Sequence, residues 1–226
     1  MKPYVICHML SSIDGRIQTA NWKGMNDQGL YERTGETTEA QAWMCGRTTM
    51  QQHFAVPLPD LPEAPADLQK RDHVGNCQSD TCAVVVDQHG KLGWASSTID
   101  GDHIIVVLTE AVSLNYVAYL RSLGISYIFG GKTEINFSNV LEKLNQLFNI
   151  SRIKLEGGGG INGSMHQAGL IDEYSFVYYP VADGSVSPTS IDTNQKPGIS
   201  AFTNLTLLHC EVLEGNMVWL RYKVER

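Results

Sequence analysis

Four consecutive glycines, Gly157 to Gly160, stand between a short apolar run that holds Ile153 and Leu155 and a brief segment, about Asn162 to Ala168, that reads as helix and is stopped by Gly169. Glycine loses more backbone freedom on folding than any other residue, so such a run is costly unless the fold needs bare backbone there. A second apolar run, Ser175 to Tyr179, follows. The stretch from Arg152 to Tyr179 therefore reads as strand, glycine loop, short helix and strand. A glycine turn that feeds a helix N-terminus aims N–H groups and the positive end of the helix dipole at one spot, which suits a pyrophosphate. The competing reading is a loop that only passes between packed elements.

Gly158, Gly160 and Gly163 also satisfy the dinucleotide pattern G-x-G-x-x-G, and Asp183 lies near where a ribose-binding acid would fall. The helix is too short for that fold, the pattern normally opens the first βαβ unit of its domain, and little chain follows Gly163. A different nucleotide-binding fold is expected.

With 226 residues, 42% hydrophobic and 18% charged, the chain has the composition of one medium-sized globular domain, and a single domain over 1–226 is expected. No apolar run is long enough to span a membrane. The net charge of −7 disfavours nucleic acid and anionic membranes as partners, since both call for a basic footprint. Five cysteines, none in a C-x-x-C pair, point to neither a disulfide framework nor a metal site, and suit reduced thiols in a cytoplasm. Cys7, Cys45 and Cys210 sit in apolar runs and read as core.

Tyr4 to Leu10 reads as the first strand, ending in a turn set by Asp14-Gly15. Ala20 to Gly35 is polar and glycine-bearing and reads as a surface loop, in which Trp22 is either packed onto the core or a ligand contact. The strand through Ala42 to Cys45 runs into Gly46-Arg47-Thr48-Thr49, where a threonine could cap the following helix and Arg47 would stand beside its N-terminus. That makes a second anion site, and an arginine fork suits the 2′-phosphate that separates NADPH from NADH. The proline-rich stretch from Ala55 to Thr81 reads as a long loop.

Cys82 to Asp87 and His103 to Leu108 read as buried strands, with His89 and His103 at the surface. Helices follow from Ser113 to Leu123, ended by Gly124, and from a cap at Ser138 through Phe148. Leu205 to Leu213 and Met217 to Val224 flank Glu214-Gly215-Asn216 as a hairpin. An α/β fold results, with a mixed, mostly parallel central sheet flanked by helices and finished by a C-terminal antiparallel hairpin.

Ser12-Ile-Asp14-Gly15-Arg16, Gly46-Arg47-Thr48-Thr49, Val84-Val-Val-Asp87 and the run from Leu155-Glu156-Gly157 through Asn162-Gly163-Ser164 to Asp172-Glu173 stand in an order that resembles the reductase domain of bacterial riboflavin biosynthesis, which has a dihydrofolate reductase-like fold. The resemblance spans nearly the whole chain. It implies an NADPH-dependent reductase, similar to the 5-amino-6-(5-phosphoribosylamino)uracil reductase, with Gly157, Gly158, Gly159, Gly160, Ile161 and Asn162 on the pyrophosphate and Gly46, Arg47, Thr48 and Thr49 on the adenosine side. Asp14 and Glu156 become the catalytic candidates, Trp22 and His53 the substrate contacts, and no metal is expected. A homodimer is implied by analogy. Where these reductases carry an acidic, proline-containing stretch with a following arginine, this chain has Gln52-His53-Phe54. A reductase of the same fold acting on a pterin or another small carbonyl or imine compound, and a nucleotide-binding homologue without turnover, are the alternatives.

Overall fold

Strands alternate with helices through most of the chain in the computed structural model, which describes residues 1–193 and 202–226. In order these are β1 (Tyr4–Ser11), α1 (Leu30–Glu36), β2 (Ala42–Gly46), α2 (Arg47–His53), β3 (Cys82–Val86), β4 (Thr98–Ile99), β5 (Asp102–Thr109), α3 (Leu114–Ser122), β6 (Ser126–Gly131), α4 (Phe137–Phe148), β7 (Arg152–Leu155), α5 (Gly159–Gln167), β8 (Glu173–Tyr178), β9 (Leu205–Val212) and β10 (Val218–Val224). They form two compact units, one of Met1–Pro3 and Gln41–Ser151, the other of Tyr4–Ala40 and Arg152–Arg226.

In the first unit β2, β3, β5 and β6 run parallel in that order, and β4 pairs antiparallel with the start of β5. Successive residues of β3 and β5, Ala83 to Val85 and Ile104 to Leu108, are all buried, so both faces of these strands are covered. That is why they read as unbroken apolar runs. One face packs with Met50, Trp94, Tyr116, Leu120 and Tyr127 in the core. Ser113 caps α3 by accepting from the Tyr116 N–H, and Gly124, at φ 73°, follows its end. The cap of α4 is Asn136, which accepts from the Asn139 N–H, and Ser138 falls inside the first turn.

Between α2 and β3 the long loop is tied down by bridges from Val56 to Gly93 and from His73 to Tyr127. His103 is buried, not at the surface as expected, with Nε2 2.7 Å from Ser126 Oγ. A hydroxyl partner supplied by β6 lets the ring sit inside, and burial lowers its pKa.

The second unit is built on β1, parallel to β7 on one side and β8 on the other. β10 pairs antiparallel with β8 and with β9, completing the expected hairpin. Leu30, Val177, Met217 and Trp219 pack together. Two local expectations fail here. The supposed loop from Ala20 to Gly35 contains most of α1, whose N-cap is Gly29 at φ 70° with no capping side chain and whose buried residues are Leu30, Thr34 and Gly35. Cys210 is exposed because β9 is an edge strand with no buried residue.

The α/β architecture, with its mostly parallel strands, flanking helices and C-terminal antiparallel hairpin, is as the sequence implied. No helix among the described residues is long and apolar enough to cross a membrane.

Candidate functional site

The glycine run answers two separate demands. Gly157 has φ 89°, its peptide bond to Gly158 is cis, and Gly158 is the N-cap of α5 with no capping side chain. The helix starts at Gly159, three residues earlier than the sequence suggested. Ile161 and Asn162 donate to the Gly158 carbonyl at 3.1 and 3.2 Å, so the Gly159 and Gly160 N–H groups precede the first bonds of the helix. Among the described residues, a Cβ at Gly160 would meet nothing within 4 Å. One at Gly159 would lie 2.0 Å from the Thr189 carbonyl oxygen, and one at Gly163 1.9 Å from that of Asp192. Gly159 and Gly163 are therefore required by packing, whereas Gly160 opens a bare, uncapped helix N-terminus.

The packed segment, Thr189 to Asp192, links this loop to the first turn. Asn162 Nδ2 donates to the Ser190 carbonyl at 2.8 Å, and Asp192 N–H to that of Gly159 at 2.9 Å. Ser190 N–H in turn donates to the Gly15 carbonyl at 2.9 Å. Asn162 Oδ1 is buried with no hydrogen-bond partner among the described residues. An uncapped helix start with no described side chain or backbone close over Gly160 fits an anionic group such as a phosphate, and the orphaned amide oxygen fits an N–H or O–H donor.

Asp14 lies in the turn after β1. Its Oδ1 accepts from Ser12 Oγ at 2.6 Å and from Asp183 N–H at 2.9 Å, and its Oδ2 accepts from Gly184 N–H at 2.9 Å. These bonds, that from the Ser12 hydroxyl first, hold the carboxyl well below the usual carboxylate range. The geometry is that of an anchor between two turns. Trp22 belongs to the same arrangement, with its ring buried and its Nε1 donating to Asp183 Oδ2 at 2.7 Å.

Glu156 follows β7 and is met by polar groups from β7 and α1. Lys154 Nζ is 2.9 Å from Glu156 Oε1, and Tyr31 Oη is 3.3 Å from the same oxygen. The Glu156 pKa is raised, because burial outweighs Lys154 and the Tyr31 hydroxyl, which pull it down. The Tyr31 ring stacks on His8, with 4.6 Å between centroids and 17° between planes. His8 is fully buried, held by Ser175 Oγ at Nδ1 (2.9 Å) and the Tyr31 carbonyl at Nε2 (3.0 Å), and burial lowers its pKa to about 4.

In the other unit Gly46 is the N-cap of α2 and lends no side chain, so Thr48 and Thr49 lie inside the first turn and do not cap. Arg47 is exposed and its Nη1 donates to Gln51 Oε1 at 2.8 Å. His53 ends α2, exposed, its ring tilted against Phe54.

Sequence reasoning did not pick out Tyr31, Lys154, His8 or Asp183 as members of these clusters. Lys154 left a trace, a charge in an apolar strand two residues before Glu156 and hence on the same face. Among the described residues no group of three or more His, Cys, Asp or Glu side chains is assembled to hold a metal.

Two curated proteins, from Archaeoglobus fulgidus and Methanothermobacter thermautotrophicus, both named 2,5-diamino-6-ribosylamino-4(3H)-pyrimidinone 5′-phosphate reductase, are similar to this chain. The first is 24% identical over 199 residues, covering 85% of this chain and 87% of that protein; the second is 26% identical over 188 residues, covering 81% of each. Among solved structures, a pyrimidine reductase-like protein from Corynebacterium diphtheriae matches with a TM-score of 0.72 at 16% identity, covering 99% of this chain and 92% of that one. A riboflavin biosynthesis reductase from Saccharomyces cerevisiae matches with a TM-score of 0.65 at 16% identity, covering 99% and 90%. These likenesses show the fold. The model of the RibD C-terminal domain matches residues 3–219, which takes in nearly all of both units, and the chain belongs to that family.

Proposed function

We propose that the protein is an NADPH-dependent reductase of a ribosylamino-pyrimidine phosphate, the class of substrate in the names of its two curated relatives. The observation that carries the reading is the start of α5, where bare backbone forms an uncapped helix N-terminus with no other described residue close over Gly160. Gly157 to Asn162 would take the cofactor's pyrophosphate. Gly46, Arg47, Thr48 and Thr49 would take its adenosine side, with the Arg47 fork selecting the 2′-phosphate. Bound NADPH supplies a hydride.

Glu156 is the catalytic candidate the geometry favours, since it is half-buried at the end of β7, next to the glycine loop. Asp14 contributes through the loop that its carboxylate anchors, and so does Trp22 through Asp183. His53, exposed at the end of α2, is kept as a substrate contact. A homodimer in the cytoplasm belongs to the same proposal. The exposed Leu205, Leu207, Leu208 and Val212 on β9 support an association between copies, and sedimentation equilibrium tests it.

The test is a titration with NADPH and then NADH, followed by tryptophan quenching, with Arg47→Ala alongside. Tight NADPH binding that weakens in the variant is expected, followed by turnover of a pyrimidine ribotide in preference to a dihydropterin. Failure to bind either nucleotide would overturn the cofactor assignment. Binding without turnover of either substrate would leave a nucleotide-binding homologue.

A further inference from the structure

We infer, with the reductase reading as premise, that Lys154 and Tyr31 are positioning residues that hold Glu156 as an ionised hydrogen-bond acceptor, so that this carboxylate orients the substrate and does not deliver the proton. Lys154 and Glu156 are two positions apart at the end of β7 and project to the same side. Their 2.9 Å contact and the 3.3 Å contact of Tyr31 Oη converge on one oxygen, Oε1.

The surroundings leave the lysine little choice. Gly35 of α1 lies directly over it, and a Cβ there would come within 3.0 Å of Lys154 Nζ and 3.2 Å of the His8 ring. Tyr31, on the same helix, is fixed by its stack on His8 and shares its hydroxyl hydrogen between Glu156 and the His8 carbonyl, 3.2 Å away. His8 is locked at both ring nitrogens, so the platform beneath Tyr31 does not turn.

Facing Glu156 are Lys154 of β7, Tyr31 and Glu32 of α1, and, behind Tyr31, the neutral His8 ring of β1, among other groups. Burial, the largest influence, and the like charge of Glu32 leave the Glu156 pKa above its ordinary value; Lys154 and the Tyr31 hydroxyl favour the anion and limit that rise. Remove the ammonium and the largest opposition to burial is gone. An ionised carboxylate can accept from a substrate N–H or O–H but has no proton to give.

The decisive experiment is a carbon-13 NMR titration of glutamate-labelled full-length protein, with the Glu156 resonance assigned by Glu156→Gln. In Lys154→Met the midpoint should rise by about one pH unit or more, in Tyr31→Phe by less, and in Lys154→Arg it should stay near that of the parent. The ascending limb of the pH profile of kcat/KM, measured with a pyrimidine ribotide, should move up with the midpoint in Lys154→Met and return in Lys154→Arg. A fixed midpoint in both Lys154→Met and Tyr31→Phe overturns the positioning role, and should Lys154→Met not fold, the tyrosine variant still decides it. A midpoint that moves while the pH limb stays put overturns the acceptor role. Absence of NADPH binding in the parent protein is a failure of the premise, and it is seen separately, in the fluorescence titration.

Discussion

The indole of Trp22 donates to the Asp183 carboxylate at 2.7 Å while its ring lies over Tyr179, 5.6 Å between centroids and 9° from parallel. Asp183 N–H is itself held by Asp14, so one chain of bonds runs from the turn after β1 through the loop after β8 to the segment before α1. Trp22→Ala should destabilise the protein by about 3–5 kcal/mol through loss of a buried ring, and Trp22→Phe by much less, because the stack survives. Urea denaturation distinguishes the two. Equal losses would mean that the hydrogen bond, not the ring, holds the loop.

Gly163→Ala and Gly160→Ala should behave oppositely. The first drives a methyl to 1.9 Å from the Asp192 carbonyl, and the backbone must move, at a cost of about 1–3 kcal/mol or more. The second meets none of the described residues and gains up to about 1 kcal/mol of helix propensity. Thermal melts of both variants check the contrast, and an NADPH titration of Gly160→Ala asks whether its methyl intrudes on the proposed ligand.

His8 makes stability pH-dependent with a definite sign. Its folded pKa, about 4, lies below its ordinary value of 6.5, so the unfolded chain takes up the proton first as the pH falls. The stabilisation from a neutral buried ring is complete above pH 6.5 and is lost progressively down to about pH 4. The loss amounts to about 3 kcal/mol across that window. Denaturation at pH 7.5 and 5, compared with the same pair for His8→Gln, isolates the contribution of this ring: the slope should flatten in the variant.

Thiol reactivity should follow burial. Cys210 on the exposed edge strand should react quickly with an aromatic disulfide reagent, and Cys210→Ser should remove that phase. Cys7 should stay unreactive in the native state, since it is buried and burial pushes its thiol pKa far up. A fast phase that survives in Cys210→Ser would place the reactive thiol elsewhere, with the half-buried Cys77 next to test.

Elements with a strong period or a clear stop signal were legible from the sequence. The caps of α3, the apolar runs of β3 and β5 and the Gly215 hairpin were all found. α1 was hidden because it opens on a glycine in the left-handed region and buries Thr34 and Gly35, so it shows neither a cap nor an apolar stripe. His103 and Cys210 were misjudged because burial depends on what a neighbouring strand supplies or withholds. The glycine loop and Glu156 stood out as local text, whereas the Tyr31 contact to Glu156 joins residues 125 apart and has no local signature.

The second unit gathers β1 from one part of the chain and β7 to β10 from a much later one, while the first unit is almost wholly drawn from the stretch between them. Val5 N–H bonds to the Asp172 carboxylate, 167 residues downstream. On a ribosome adding about 5–20 residues per second, β1 would emerge roughly ten to thirty seconds before that partner exists. The middle unit can close on its own strands meanwhile. The apolar Val5-Ile6-Cys7 run must wait, which makes the nascent chain before Arg152 the form most exposed to chaperones and to aggregation.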